Sequence, residues 1–88
     1  MSKKVYDFWA PWCGPCKVMK PIIEEFRDKM GFELVEINVD EDDDDISSKY
    51  KVRNIPTIII VDENEKEVAR HIGSIPKTTF EEFLTKNL

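Results

Sequence analysis

The two cysteines of this sequence, Cys13 and Cys16, are the residues best suited to chemistry, because either could act as a nucleophile. Strand-like residues at 5–9 precede them, and a helical pattern of apolar residues follows from Val18 to Met30. Cys13 is therefore expected at a helix start, where unpaired backbone N–H groups and the helix dipole favour the thiolate. Cys16 lies one turn along on the same face, so the pair can alternate between dithiol and disulfide.

Three other interpretations of the cysteine pair compete with redox chemistry. A structural disulfide that closes so short a loop would remove little entropy from the unfolded chain. A zinc ion takes four ligands, and the only histidine, His71, falls in a strand pattern far along the chain, so a zinc site would have to be shared between two chains. Inert buried thiols fit poorly beside Trp12, Gly14 and Pro15. Redox chemistry without a bound metal is the favoured interpretation.

The segment around the cysteines, Trp9–Lys17, resembles the active-site signature of the thioredoxin family. It reads Trp-Ala-Pro-Trp-Cys-Gly-Pro-Cys-Lys, and this is a specific match. Three shorter segments also resemble motifs of that family, so the resemblance covers most of the chain from about residue 5 onwards. They are the end of the second strand at Val39-Asp40, the cis-proline segment 50–57 with Pro56, and the glycine loop at Ile72-Gly73.

The resemblance implies a thiol–disulfide oxidoreductase that reduces protein disulfides. It implies that Cys13 is the nucleophile, that Cys16 resolves the mixed disulfide, and that Asp7 is a buried acid exchanging a proton with Cys16. It implies no cofactor beyond the redox-active disulfide, and it implies disulfide-containing proteins and a thioredoxin reductase or another electron donor as partners. The residues implied to support the active site are Trp9, Trp12, Gly14, Pro15 and Pro56, and those implied to contact substrate are Trp12, Ile55, Pro56, Ile72 and Gly73.

Two alternative functions stay open. The first is a glutathione-linked, glutaredoxin-like reductase, which the small size permits but the Cys-Gly-Pro-Cys sequence does not favour, because Gly-Pro between the cysteines resembles the reducing thioredoxins. The second is a redox-independent protein-binding subunit that uses the same apolar surface. A double serine variant of Cys13 and Cys16 that kept its biological activity would favour the binding subunit.

Length and charge limit the remaining possibilities. The chain has 88 residues and is expected to form one domain over 1–88. Its net charge of −5 disfavours binding to nucleic acid or to an anionic membrane through charge. No stretch is apolar and long enough for a transmembrane helix or a signal peptide, so a cytoplasmic protein is expected. A monomer is expected because charged residues on the second strand, Glu33 and Glu36, oppose its pairing with the strand of another chain.

The apolar pattern predicts the element order βαβαββα. This order resembles a minimal thioredoxin-like α/β fold, with a central four-stranded mixed sheet and helices on both faces, that lacks the usual first strand and helix of the family. The second strand is then a sheet edge, and one sheet face is expected to expose apolar surface or to be shielded by a partner. The predicted strands are 3–9, 32–39, 57–61 and 67–72, and the predicted helices are 13–30, 46–50 and 77–88.

Several turns and helix ends also have sequence signals. Gly31 is expected to end the first long helix, and Asn64 to take a left-handed conformation in the turn before the last strand. Either Ser74 or Thr78 is expected to cap the last helix. The acidic run 40–45 is expected to cap the short helix that follows it and not to bind a metal, because it lacks the glycine and the ligand alternation of a calcium loop.

Two carboxylates, those of Asp7 and Glu36, lie in predicted strands. Asp7 lies in a strand expected to be covered on both faces, and burial should raise its pKa. Glu36 lies in the second strand. If its side chain points toward Asp7, repulsion between like charges should raise proton affinity further, whereas a side chain turned into solvent should have no effect.

Overall fold

The computed structural model describes residues 3–88, and its elements follow the predicted order βαβαββα. The one addition is a short 3-10 turn at Val39–Glu41. The prediction of one domain over 1–88 includes residues 1 and 2, which lie outside the described residues. The elements are β1 (Lys4–Trp9), α1 (Gly14–Met30), β2 (Glu33–Asn38), α2 (Ile46–Lys49), β3 (Thr57–Val61), β4 (Glu67–Ile72) and α3 (Lys77–Asn87).

The four strands form one mixed sheet in the order β2-β1-β3-β4. β1 pairs in parallel with β2 and antiparallel with β3, and β3 forms an antiparallel hairpin with β4. The pairing places Asp7 of β1 between Glu36 of β2 and Ile58 of β3. β1 is thus a central strand, as predicted, and it ends where the cysteine segment begins.

One face of the sheet is covered by α1 and α3. The rings of Phe26 and Phe80 meet edge to face between these helices, with their centroids 5.8 Å apart. Val18 and Met30, the first and last residues of the apolar pattern in α1, lie outside this core, because their side chains are 61% and 41% exposed. Val18 falls outside the stripe of buried helix positions, and Met30 is the last residue of the helix. The buried residues of this core are Val5, Met19, Ile23, Phe26, Phe32, Ile58, Ile60, Phe80 and Leu84.

The other face of the sheet is covered by α2 and the segment after it, so helices lie on both faces as predicted. The expectation of exposed apolar surface holds only at the rim of this face, where Ile72 shares the face of Ile59 and Arg70 and is 53% exposed. Tyr50 packs edge to face against Tyr6 with ring centroids 5.6 Å apart, and the Arg70 guanidinium donates a hydrogen bond of 2.6 Å to the carbonyl of Tyr50. The buried residues of this second core are Tyr6, Phe8, Ile37, Tyr50, Ile59 and Val61.

The ends of the long helices follow the sequence only in part. Gly31 ends α1 with φ of 76°, a left-handed conformation that glycine adopts readily, and its N–H donates to the carbonyl of Arg27. The prediction that Ser74 or Thr78 caps α3 is wrong. Pro76 occupies the cap position, and its carbonyl accepts the first helical hydrogen bond from the N–H of Phe80.

The turn between β3 and β4 also differs from its prediction. The left-handed residue is Glu65, with φ of 62°, and not Asn64. The Asp62 carboxylate fixes the turn by accepting hydrogen bonds from the backbone N–H groups of Asn64 and Lys66, at 2.8 and 3.0 Å. The side chain of Glu65 accepts a hydrogen bond from the hydroxyl of Tyr6, which adds a tertiary contact at this position.

One carboxylate of the acidic run organises the start of α2. Asp42 accepts hydrogen bonds from the backbone N–H groups of Ile46 and Ser47, at 3.0 and 2.7 Å, and from the Ser47 hydroxyl at 2.6 Å. These bonds satisfy N–H groups that have no partner within the helix. The prediction that the run caps the short helix is confirmed for Asp42.

We expect Asp42→Ala to lower the free energy of unfolding by about 1 kcal/mol, which is the usual effect of losing a helix cap. Asp44→Ala is the matched control, because Asp44 belongs to the same acidic run and is exposed. Urea unfolding at neutral pH measures both variants. An equal loss in the two variants would show that the charge of the run matters and that the individual hydrogen bonds do not.

Candidate active site

The site begins at the junction between β1 and α1. Cys13 is the N-cap residue of α1 and is joined to Cys16 by a disulfide, with their Cα atoms 5.3 Å apart. The backbone N–H of Cys16 donates a hydrogen bond of 3.2 Å to Cys13 Sγ. Pro15 stands in the first turn of the helix, where its missing N–H leaves no hydrogen bond unmade. The predicted pairing of the two cysteines at a helix start is confirmed.

Asp7 of β1 lines the same cavity as Cys16 and is only 4% exposed. Its Oδ1 atom is buried and has no hydrogen-bond partner among residues 3–88. The pKa of Asp7 is raised from its ordinary value of 3.8 to about 7, chiefly by burial and then by the Glu36 carboxylate, while the Lys20 ammonium acts in the opposite direction. The predicted rise of this pKa is confirmed, and Asp7 is therefore poised to gain or lose a proton near neutral pH.

A cavity of about 50 Å³ connects Asp7 to the second cysteine. That volume can hold a water molecule. The side chain of Glu36 reaches solvent, as one of its two predictions had it, and it pairs with Lys20. It nevertheless raises the pKa of Asp7, as the other prediction had it. The residues that line the cavity are Asp7, Trp9, Pro11, Cys16, Lys17, Lys20 and Glu36.

The predicted substrate-contacting residues come from three loops. Trp12 is 67% exposed, and its indole N–H donates a hydrogen bond of 2.8 Å to Asp40. Ile55 packs against the disulfide, and the peptide bond between Ile55 and Pro56 is cis, as predicted. The buried Pro56 is tied to the third loop, because its carbonyl accepts a hydrogen bond of 2.8 Å from the N–H of Gly73. Ile72, the neighbour of Gly73, is 53% exposed.

Sequence reasoning missed two residues of this site. Lys20 follows Cys16 by four residues, so the helical period alone would have placed both on one face of α1. Asp40 was treated only as part of a motif and of an acidic run, and its bond to the Trp12 indole depends on how the end of β2 meets the cysteine loop. Contacts of this second kind need the tertiary structure.

The part of the chain that the structure describes contains neither a metal-binding cluster nor a membrane-spanning helix. Within residues 3–88, no group of three or more His, Cys, Asp or Glu side chains is arranged to hold a metal ion. His71 packs against the ring of Phe83, with centroids 6.2 Å apart. No helix in this range has the length and apolar character needed to cross a membrane.

Comparison with known proteins agrees with the geometry. The family model named Thioredoxin matches residues 2–86. A thioredoxin of Bacillus subtilis is 42% identical over 84 residues, which cover 93% of this chain and 79% of the relative. A thioredoxin of Mycoplasmoides gallisepticum is 45% identical over 84 residues, covering 94% and 82%. Thioredoxin 1 of a Nostoc species is 39% identical over 84 residues, covering 93% and 77%.

A cysteine pair that forms a disulfide at this place in this fold defines a class, the thiol–disulfide oxidoreductases. Within that class, the chain belongs to the thioredoxin family. It is a protein-disulfide reductase, and membership of the family implies disulfide-containing proteins as substrates and a reductase as partner.

Proposed function

We propose that Cys13 is the nucleophile of this reductase, that Cys16 resolves the intermediate, and that Asp7 accepts the proton of Cys16. In the reduced protein, the Cys13 thiolate attacks one sulfur of a substrate disulfide. The substrate S–S bond breaks, its other sulfur leaves as a thiolate, and a mixed disulfide forms on Cys13. Cys16 then gives its proton to the Asp7 carboxylate and attacks the sulfur of Cys13. The second substrate thiolate leaves, and the Cys13–Cys16 pair is left oxidised as a disulfide because it has given two electrons to the substrate.

The different roles proposed for the two cysteines rest on the different groups near their sulfur atoms. Cys13 caps α1, where the backbone N–H of Cys16 already donates to its sulfur, so the helix start would stabilise a thiolate there. Cys16 lines the cavity that contains Asp7, whose buried oxygen has no competing partner among the described residues. The Asp7 carboxyl group, which lines the same cavity as Cys16, is thus placed to serve as the base for the second step.

The electron donor can be decided by one experiment. We expect the oxidised protein to be reduced by a thioredoxin reductase with NADPH, and not by glutathione with glutathione reductase, when insulin is the disulfide substrate. The Cys-Gly-Pro-Cys sequence supports this choice. Turnover with the glutathione system alone would instead support the glutaredoxin-like alternative, and no turnover with either system would favour a redox-independent binding subunit.

We propose that substrates dock on Trp12, Ile55, Pro56, Ile72 and Gly73. Ile55 packs against the disulfide, and the Pro56 carbonyl accepts a hydrogen bond from the N–H of Gly73. Exposed apolar side chains around a buried reactive group are typical of a protein contact surface. Trp12 is the largest of these, and its bond to Asp40 holds the indole in one orientation. Trp9, Gly14 and Pro15 would support the site from within.

We expect Trp12→Ala to lower kcat/KM for insulin by about tenfold, since loss of a buried interface aromatic commonly costs more than 1 kcal/mol. A small aromatic disulfide needs little of this surface, so its reduction should change much less. The matched control is Val68→Ala, because Val68 is also exposed and lies at the other end of β4 from Ile72. Equal losses for both disulfides would place the effect on the cysteines and not on docking.

We also propose a monomer in the cytoplasm that uses no cofactor beyond its own disulfide. The exposed edge of β2 carries Glu33 and Glu36, whose charges oppose pairing with a second sheet. A dithiol that supplies electrons needs a compartment that keeps it reduced, as the cytoplasm does. Sedimentation that detects a tight dimer at micromolar concentration would contradict the monomer.

A further inference from the structure

A lysine of α1 folds back over the cavity that leads to Asp7. Lys20 Nζ lies 3.4 Å from an oxygen of Glu36 on β2 and 3.6 Å from an oxygen of Glu24 on its own helix. The same ammonium lies 5.8 Å from the ring centroid of Trp9, which also lines the cavity. The side chain therefore covers the outer wall of the proton-accepting site, and two carboxylates compete for its charge.

The fold fixes these charges near Asp7. Glu36 is the direct partner of Asp7 in the parallel pairing of β2 with β1. A shift of this pairing by one residue would turn the buried Ile37 to the opposite face, so the position of Glu36 cannot slip. Lys20 lies one helical turn after Cys16, on the face of α1 that meets the same cavity.

We propose that Lys20 and Glu36 are opposing positioning residues for Asp7: the Glu36 carboxylate favours its protonated form, and the Lys20 ammonium favours the carboxylate that accepts the Cys16 proton. The inference rests on the proposed role of Asp7 in the second step. The Lys20–Glu36 ion pair, which joins α1 to β2, would set the protonation of Asp7. Glu24 would weaken this pair whenever it binds Lys20 instead.

The charges of Lys20 and Glu36 matter because the pKa of Asp7 lies near neutral pH. Burial is the main cause that raises the pKa of Asp7 to about 7, followed by Glu36, and Lys20 lowers it. Near that value, a modest change in either neighbour changes the fraction of Asp7 able to accept a proton at neutral pH. Among residues 3–88, the other charged group that lines the cavity with Asp7 is Lys17 on α1, and the neighbour on β3, Ile58, carries no charge.

Charge-removing variants test the pair. Lys20→Met keeps the apolar stem against Trp9 and removes the cation, and we expect it to move the midpoint of Asp7 titration up by about half a pH unit. Glu36→Gln should move the midpoint down by a similar amount, and the double variant should lie between the two. The midpoint is measured by carbon-13 NMR of the Asp7 carboxyl in the reduced protein, and the pH profile of insulin reduction should move in the same directions.

The opposite signs separate this role from a structural one. If Lys20 and Glu36 served only to hold α1 against β2, either single variant would break the same ion pair and both would shift the midpoint in one direction. Lys29→Met is the matched control, because Lys29 lies on the same helix, pairs with Glu25 at 2.8 Å and lies 5.5 Å from the ring centroid of Phe26, but it is not one of the residues that line the cavity. We expect it to leave the midpoint and the activity profile unchanged.

Two results would overturn the inference: shifts of the same sign in the two single variants, or no shift in either. Neither result would touch the proposed function, which has its own measurement. If Asp7→Asn left the pH profile of insulin reduction unchanged, the proton-accepting role of Asp7 would be wrong, and the titration shifts of the Lys20 and Glu36 variants would then have no catalytic consequence. The NMR midpoint and the rate profile thus report on the two proposals separately.

Discussion

Cys13→Ser is expected to abolish protein-disulfide reduction, with a loss of at least about a thousandfold, because the remaining thiol of Cys16 lacks the N-cap position that would stabilise a Cys13 thiolate. Cys16→Ser is expected to give a different failure. Its Cys13 thiolate can still attack the substrate, but no second thiol is present to release it. The variant should therefore accumulate a covalent complex with substrate, and a single turnover should consume it.

Mass spectrometry under non-reducing conditions measures the covalent complex directly. Alkylation of the two single variants near neutral pH compares their remaining thiols, and the Cys16→Ser variant, which keeps Cys13, should react faster. Faster alkylation of the variant that keeps Cys16 would reverse the assignment. The double serine variant is the control, since any biological activity that it kept would have to be independent of redox chemistry.

Features that depend on neighbouring residues could be predicted from the sequence. The helix start at Cys13, the end of α1 at Gly31 and the buried strand β3 each follow from a local pattern of apolar spacing, glycine or proline. The active-site motif is itself a local feature, because the cysteines lie within one helical turn of each other. The element order and the redox-active cysteine pair could therefore be predicted from the sequence.

Features that depend on distant residues could not be predicted. The bond from Trp12 to Asp40 joins residues 28 positions apart, and the one from Lys20 to Glu36 joins residues 16 apart. Both depend on the register of β2 and on how α1 packs over it, and neither quantity is encoded in a short window. The covering of the second sheet face by Tyr50 has the same origin, since its hydroxyl donates to the carbonyl of Glu65 across the sheet.

Local rules also failed where two of them competed. Ser74 and Thr78 are good helix caps, but Pro76 between them fixes the backbone so that the helix begins at Lys77. Asn64 tolerates a left-handed conformation, but Glu65 adopts it instead. The Asp62 carboxylate accepts hydrogen bonds from the backbone N–H groups of Asn64 and Lys66, the residues on either side of Glu65. In both places a neighbouring residue decided the outcome.

Asp7→Asn is expected to stabilise the oxidised protein at high pH and to have little effect at low pH. The ordinary pKa of Asp7 is 3.8, and its value in the folded protein is raised to about 7, chiefly by burial. A pKa that is higher in the folded state means that folding binds a proton between these two values. Stability therefore falls as pH rises from about 4 to about 7, and the loss is complete above the folded value. A difference of this size corresponds to about 4 kcal/mol.

The asparagine variant separates this cost from every other titration, because it keeps the shape of the protonated carboxyl group and cannot ionise. Urea unfolding of oxidised wild type and variant at pH 4, 5.5, 7 and 8.5 gives the difference in unfolding free energy. That difference should grow with pH and level off above 7, while Asp28→Asn, at an exposed carboxylate, should show no such trend. A constant difference at every pH would mean that Asp7 is ionised in the folded protein without penalty. The growing difference would instead show that the fold tolerates a costly buried acid. The same substitution should slow release of the mixed disulfide, since Cys16 would lose the proton acceptor that we propose for it.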